Sequence, residues 1–140
     1  MNEPERYEQL IAFLDNNLPA PVERQELADG SMQFTGGDPP EVVAQLTETS
    51  VIVYAFAASW ETPYALTPRP RRVGIIKWRR LPENAMLAAL TALIKGAREA
   101  RAASYRKCER CGRATAPEWL HDETTCSMCA EQEMEQRRIH

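Results

Sequence analysis

Two Cys-x-x-Cys pairs, Cys108/Cys111 and Cys126/Cys129, hold all four cysteines of this 140-residue chain inside one stretch, "CERCGRATAPEWLHDETTCSMC". That spacing constrains the local fold more than any other feature of the sequence. Each pair offers two sulfurs from a tight turn, and four thiolates complete a closed tetrahedral shell around one metal ion. Gly112, directly after the first pair, suits a knuckle in which backbone amides turn toward the sulfurs. The second pair opens a predicted helix, "CSMCAEQEMEQRR", whose N-terminal partial positive charge favours ionised sulfur. A knuckle, a connection and then a helix carrying the second pair is the outline of a treble-clef finger. The expected ligands of a structural Zn2+ are therefore Cys108, Cys111, Cys126 and Cys129. An iron–sulfur cluster could use the same thiolates, since spacing does not select the metal. Redox pairs would need a βαβ context and disulfides an oxidising compartment, and the sequence signals neither.

With the shell filled by cysteines, His121 between the pairs is read as exposed or as a hydrogen-bond partner around the site. Trp119 and Leu120 are expected to form the apolar plug beneath the metal, because so small a finger has little other core.

The residues ahead of the finger alternate between two periodicities. Tyr7, Leu10, Ile11, Leu14 and Leu18 make one helical stripe over Pro4 to Leu18, stopped by Pro19 and Pro21. Asp29-Gly30 is a hairpin signal between extended arms Val22 to Leu27 and Ser31 to Phe34, and Thr35 to Pro40 is a turn. Val42 to Trp60 reads as two strands broken near Glu48-Thr49, although Val42 to Leu46 is also compatible with a helix. Glu61 to Pro70, with three prolines, reads as a surface loop, and Arg71 to Trp78 as a last strand. A long helix follows from Pro82 to Ser104, with Met86, Leu87, Leu90, Leu93, Ile94 and Ala97 facing the sheet. The predicted architecture is α+β: an antiparallel sheet of about five strands between two helices. Residues 1–104 form that domain and residues 105–140 the finger with its C-terminal helix.

No secretory signal is visible at the N-terminus, and the longest apolar runs, Val51 to Ala58 and Ala85 to Ile94, are too short to span a bilayer. A cytoplasmic protein without membrane contact is expected. The net charge of −3 conceals a strong polarity. Residues 1–68 carry two basic against eleven acidic side chains, residues 69–113 thirteen against three, and residues 114–140 two against six. A basic segment of this kind attracts polyanions whatever the total charge. It could equally be neutralised by the acidic half inside the fold.

Nothing points to catalysis. His121 and His140 are the only histidines and neither sits in a nucleophile motif, "TGGDPP" lacks the Lys-Ser/Thr of a phosphate loop, and a full thiolate shell leaves no metal position for water. Tyr105, Cys108, Cys111, Gly112, Cys126 and Cys129, between a long helix and a second helix, resemble the C-terminal finger of the DksA/TraR family of bacterial RNA-polymerase regulators. That family precedes its finger with a coiled-coil hairpin, whereas a sheet domain is predicted here, so polymerase binding is not implied. With "PEW" between the pairs, the whole pattern is also similar to small bacterial proteins of unknown function. Two expectations remain. One is a non-enzymatic, nucleic-acid-associated factor contacting phosphate through Arg79, Arg80, Lys95, Arg98, Arg101, Arg106, Lys107 and Arg110. The other is an adaptor for an acidic protein surface, or for a second copy of the chain, with the finger as a structural element. Lys95, Arg98 and Arg101 are spaced to share one helix face, while Trp78 is read as core packing.

Overall fold

The computed structural model describes residues 3–139. Helix α1 (Glu3–Asn17) leads into strands β1 (Val22–Glu26), β2 (Met32–Gly36), β3 (Val42–Leu46) and β4 (Val51–Ala55). A hairpin of β5 (Ala58–Thr62) and β6 (Ala65–Pro68) precedes β7 (Arg71–Ile76), and a 3-10 turn at Trp78–Arg80 leads to helix α2 (Glu83–Ala103). The main sheet is antiparallel throughout in the order β1-β2-β3-β4-β7. The α+β architecture and its five-stranded sheet are thus those expected.

Register explains which sheet face is buried. Phe34, Ala44 and Val53 lie opposite one another on successive strands, and so do Leu46, Val51 and Ile76. All six are buried in one cluster with Leu10, Leu14 and Leu18 from α1 and Met86, Leu90, Ile94 and Ala97 from α2. Burying a side chain of Leu, Val, Ile or Met stabilises by about 1.5–3 kcal/mol, so this layer is the main source of stability. Val42–Leu46 resolves as strand because both of its ladders are occupied. Trp78 is buried in the core, with its indole N–H donating to Thr47 O at 3.1 Å. Arg6 from α1 donates to the carbonyls of Trp78 (3.0 Å) and Leu81 (2.6 Å), which ties the first helix to the turn ahead of α2.

The loop expected over Glu61 to Pro70 is instead mostly the hairpin. Trp60 pairs with Leu66 and Ala58 with Pro68, around a tip where Tyr64 is exposed. Proline had argued against a strand, but Pro63 sits in the turn and Pro68 at the strand's last position, where a missing N–H breaks little of the ladder. Phe56 N–H to Glu41 O (2.9 Å) and Arg69 N–H to Ala57 O (2.7 Å) fix the hairpin's base.

Gly36 marks a close approach. A Cβ there would stand 2.7 Å from Pro19 O and 3.0 Å from Leu18 Cβ, where the segment leaving α1 crosses β2. The obstacle is backbone and cannot rotate away. Gly36→Ala is expected to cost about 1–3 kcal/mol of stability, the usual range for overpacking, measured by chemical denaturation. Gly74→Ala should cost less, because the atom it meets is the end of the Leu93 side chain.

Candidate metal centre

The finger is assembled from short pieces. Strand β8 (Arg106–Lys107) pairs with β9 (Ala114–Thr115), and the knuckle Cys108–Gly112 closes the turn between them. Gly112 adopts a φ of +75° and its N–H donates to Cys108 O at 2.8 Å, a conformation that a Cβ would strain. A 3-10 turn follows at Pro117–Trp119, then a loop in which Asp122 accepts from the N–H (2.8 Å) and hydroxyl (3.1 Å) of Thr124. Those bonds hold the Asp122 carboxyl below its ordinary pKa. His121 N–H to Thr125 O and a bridge between Leu120 and Cys126 close the loop and deliver Cys126 to the start of helix α3 (Ser127–Ile139).

This path brings the four sulfurs together, all within 4.8 Å of one another. Cys108 and Cys129 Sγ are 3.8 Å apart, and Cys111 and Cys126 Sγ 3.9 Å. A tetrahedron with metal–sulfur bonds of about 2.3 Å has edges of roughly 3.8 Å, so these residues fit a four-thiolate metal site. The cluster could hold a metal ion, as the spacing predicted. Backbone amides of Cys111 and Cys126, with a smaller contribution from Arg110, lower the Cys108 thiol to about 6. Cys129 is pushed up to about 12, first by its hydrogen bond toward Cys126 and then by burial and the other thiols. Without a cation one sulfur is thus readily ionised while its neighbour retains its proton. A metal ion supplies the charge that lets both be thiolates.

The finger's interior differs from the expected one. Trp119 is 48% exposed and so is not a plug; the buried positions are Cys108, Thr115, Ala116, Glu118, Cys126 and Ala130. Apart from Glu118, these buried side chains are small. His121 is exposed, as expected, and His140 lies outside the described residues.

The other predicted binding residues divide sharply. Arg101 does not face outward with Lys95 and Arg98. It is buried at 2% exposure and is clamped by both carboxylate oxygens of Glu118, with its Nε donating to Pro40 O at 2.9 Å. The rings of Phe56 and Tyr105 lie 5.1 Å from its guanidinium carbon. Arg101 continues the buried stripe Met86, Leu90, Ile94, Ala97, and that i+4 extension was the sequence signal for its burial. Glu118, the fixed partner, carried no comparable signal. Arg98 pairs with Glu41 at 3.3 Å, Lys95 with Glu99 at 4.0 Å, and Arg110 with Glu133 at 2.8 Å. Arg79 lies 3.4 Å from Glu3 and stacks over Trp78, so the acidic half does neutralise part of the basic segment. Among the described residues, Arg80, Arg106 and Lys107 are exposed and make no ion pair. Comparison of the chain with family models, curated proteins and solved structures finds no match. No helix of the described residues is long and apolar enough to cross a membrane.

The thiol geometry sets a pH dependence. Metal affinity should fall as pH drops, and more steeply below about 6, where Cys108 takes up a proton that the metal must then displace. Calorimetric titration in buffers of different ionisation enthalpy, above and below that pH, would show more protons released per metal on the acidic side. Glu118→Ala, which strands the Arg101 cation, should destabilise the protein by about 3–5 kcal/mol. Denaturant titration of the metal-loaded form measures it.

Proposed function

We propose that this chain is a non-catalytic metal-finger protein that binds nucleic acid through sequence-independent phosphate contacts. The observation that carries the reading is a ribbon of exposed cations, Arg106, Lys107 and Arg113, borne on β8 and the turn between it and β9, with Arg110 beside them paired to Glu133. Four thiolates would pin that ribbon, so its cations are held in place rather than carried on a loose tail. Lys107 lies against the knuckle itself, its Cε 3.7 Å from where a Gly112 Cβ would be. Phosphate contact needs such side chains with no fixed geometry toward the bases.

The metal's part is structural on this reading. Four protein ligands complete the shell of a Zn2+ ion, which leaves no position for an activated water. The order of knuckle, short strand pair and helix supports a treble-clef finger, and the sulfur geometry suits zinc. Arg101 takes no part in phosphate contact, since its guanidinium is enclosed between protein groups.

Fluorescence anisotropy of the metal-loaded chain against mixed-sequence DNA and RNA, at low and at physiological salt, tests the proposal. Binding should weaken steeply with salt. Replacing Arg106 and Lys107 together by Ala should make the slope of log affinity against log salt shallower by about 0.9 for each duplex phosphate no longer neutralised. Absence of binding at low salt would overturn the reading and leave an adaptor for an acidic protein surface.

A further inference from the structure

Trp119 is an exposed aromatic held in a fixed place. Its ring meets that of Trp60 edge to face, with centroids 6.0 Å apart and planes at 76°. Trp60, on β5, is itself 45% exposed. Neither residue is loose. Trp60 Nε1 donates to Glu118 O at 2.7 Å, and Ser127 Oγ donates to Trp119 O at 2.8 Å. Through Glu118 the pair is also fastened to buried Arg101. Met128, in the first turn of α3, is 58% exposed and lines the same cleft as Trp119. Burying a tryptophan contributes strongly to stability, and edge-to-face aromatic pairs add to it. Two half-exposed ones in contact, with exposed Met128 on the Trp119 side, form the kind of apolar patch that marks a contact site.

Beside Trp119 the surface sinks into a cleft of about 380 Å³, walled by Pro39, Tyr105, Ala116, Trp119 and Met128. That is near the low end of small-ligand sites, which run from about 300 to 1,000 Å³, and suits one flat group rather than a helix or strand. Its polar edge is formed by Arg113 and Asp38, with Arg113 Nη1 lying 3.9 Å from Met128 Sδ. Arg106 and Lys107 sit opposite Thr115 and Ala114 in the β8–β9 register, and both partners line the cleft. Arg113 therefore borders a slot walled by aromatic and apolar side chains, and Arg106 and Lys107 stand on the strand paired with its wall.

The ligand matching both features is a polyanion that carries flat apolar groups along its chain. An acidic peptide satisfies the cations but brings no regular supply of flat groups. A duplex satisfies the cations but keeps its bases stacked inside. We infer that the finger binds single-stranded nucleic acid, with one base stacked against Trp119 in the cleft and the flanking phosphates on Arg106, Lys107 and Arg113. Asp38 stands where it can accept a hydrogen bond from a base amino group. This inference rests on the phosphate-binding reading above and adds to it the strandedness of the ligand.

The test uses the whole zinc-loaded chain with a short labelled thymidine oligonucleotide and with a duplex of equal phosphate number. The single strand should bind more tightly and quench tryptophan emission. Trp119→Ala should weaken single-strand binding by roughly fivefold to 150-fold, the range for loss of one stacked base, while duplex affinity and salt slope stay unchanged. Trp119→Phe should retain most of the preference. Metal content and circular dichroism establish that the variants are folded; if the Ala variant is not, the wild-type quench and the Phe variant decide the matter. Equal affinity for both forms without quenching overturns the stacked base and leaves the phosphate reading standing. Binding to neither overturns both. A concentration-dependent dimer that shifts Trp119 emission without any oligonucleotide assigns the patch to a second copy and overturns the inference.

Discussion

The buried pair of Arg101 and Glu118 is the interaction on which the arrangement of this molecule depends. Arg101 belongs to the last turn of α2 and Glu118 to the 3-10 turn of the finger, and both side chains are almost wholly out of solvent. A guanidinium in that position is tenable only while a carboxylate and the Pro40 carbonyl meet it. Phe56 and Tyr105 enclose it between their rings, and burial raises the Tyr105 phenol above its ordinary pKa. Separate segments of the chain thus converge on one cation. Such a pair contributes little net stability against an apolar substitute, but breaking it is costly, so it selects one docking geometry and penalises others.

Each half depends on the other through this contact. The sheet domain has its own apolar layer and supplies α2 as a rigid post. Glu118 apart, the finger's buried side chains are small, so metal binding would provide much of its folding energy. Once ordered, the finger delivers Glu118 to Arg101 and the Glu118 carbonyl to Trp60, and the β5–β6 hairpin is held against it. The exposed tryptophan pair and the cleft beside it lie at this junction, and neither half alone would form them.

Charge was a less reliable guide than metal spacing. The polarity between the acidic first half and the basic middle is real in sequence, but the fold neutralises part of it internally, in Arg79–Glu3 and Arg98–Glu41. These exposed pairs contribute about 0–1 kcal/mol each, yet they reduce the positive field that a polyanion would meet on α2 and on the turn ahead of it. Arg106 and Lys107, next to the knuckle, are among the exposed cations that no acidic side chain pairs with among the described residues.

What the sequence alone determined is short-range. The helical stripes of α1 and α2, the β-branched strands, the Asp29-Gly30 turn and the cluster of four cysteines that could hold a metal were all legible, because periodicity and cysteine spacing act over a few residues. Tertiary structure decided the rest. Arg101 looked like a surface cation in a basic run until Glu118, seventeen residues away, met it in the interior. Trp119 looked like the finger's core, but it stands half-exposed against Trp60, on a hairpin whose prolines had argued for a loop. Whether a charge or an aromatic ring is buried depends on partners that the chain brings from a distance, and no local pattern encodes which partner arrives.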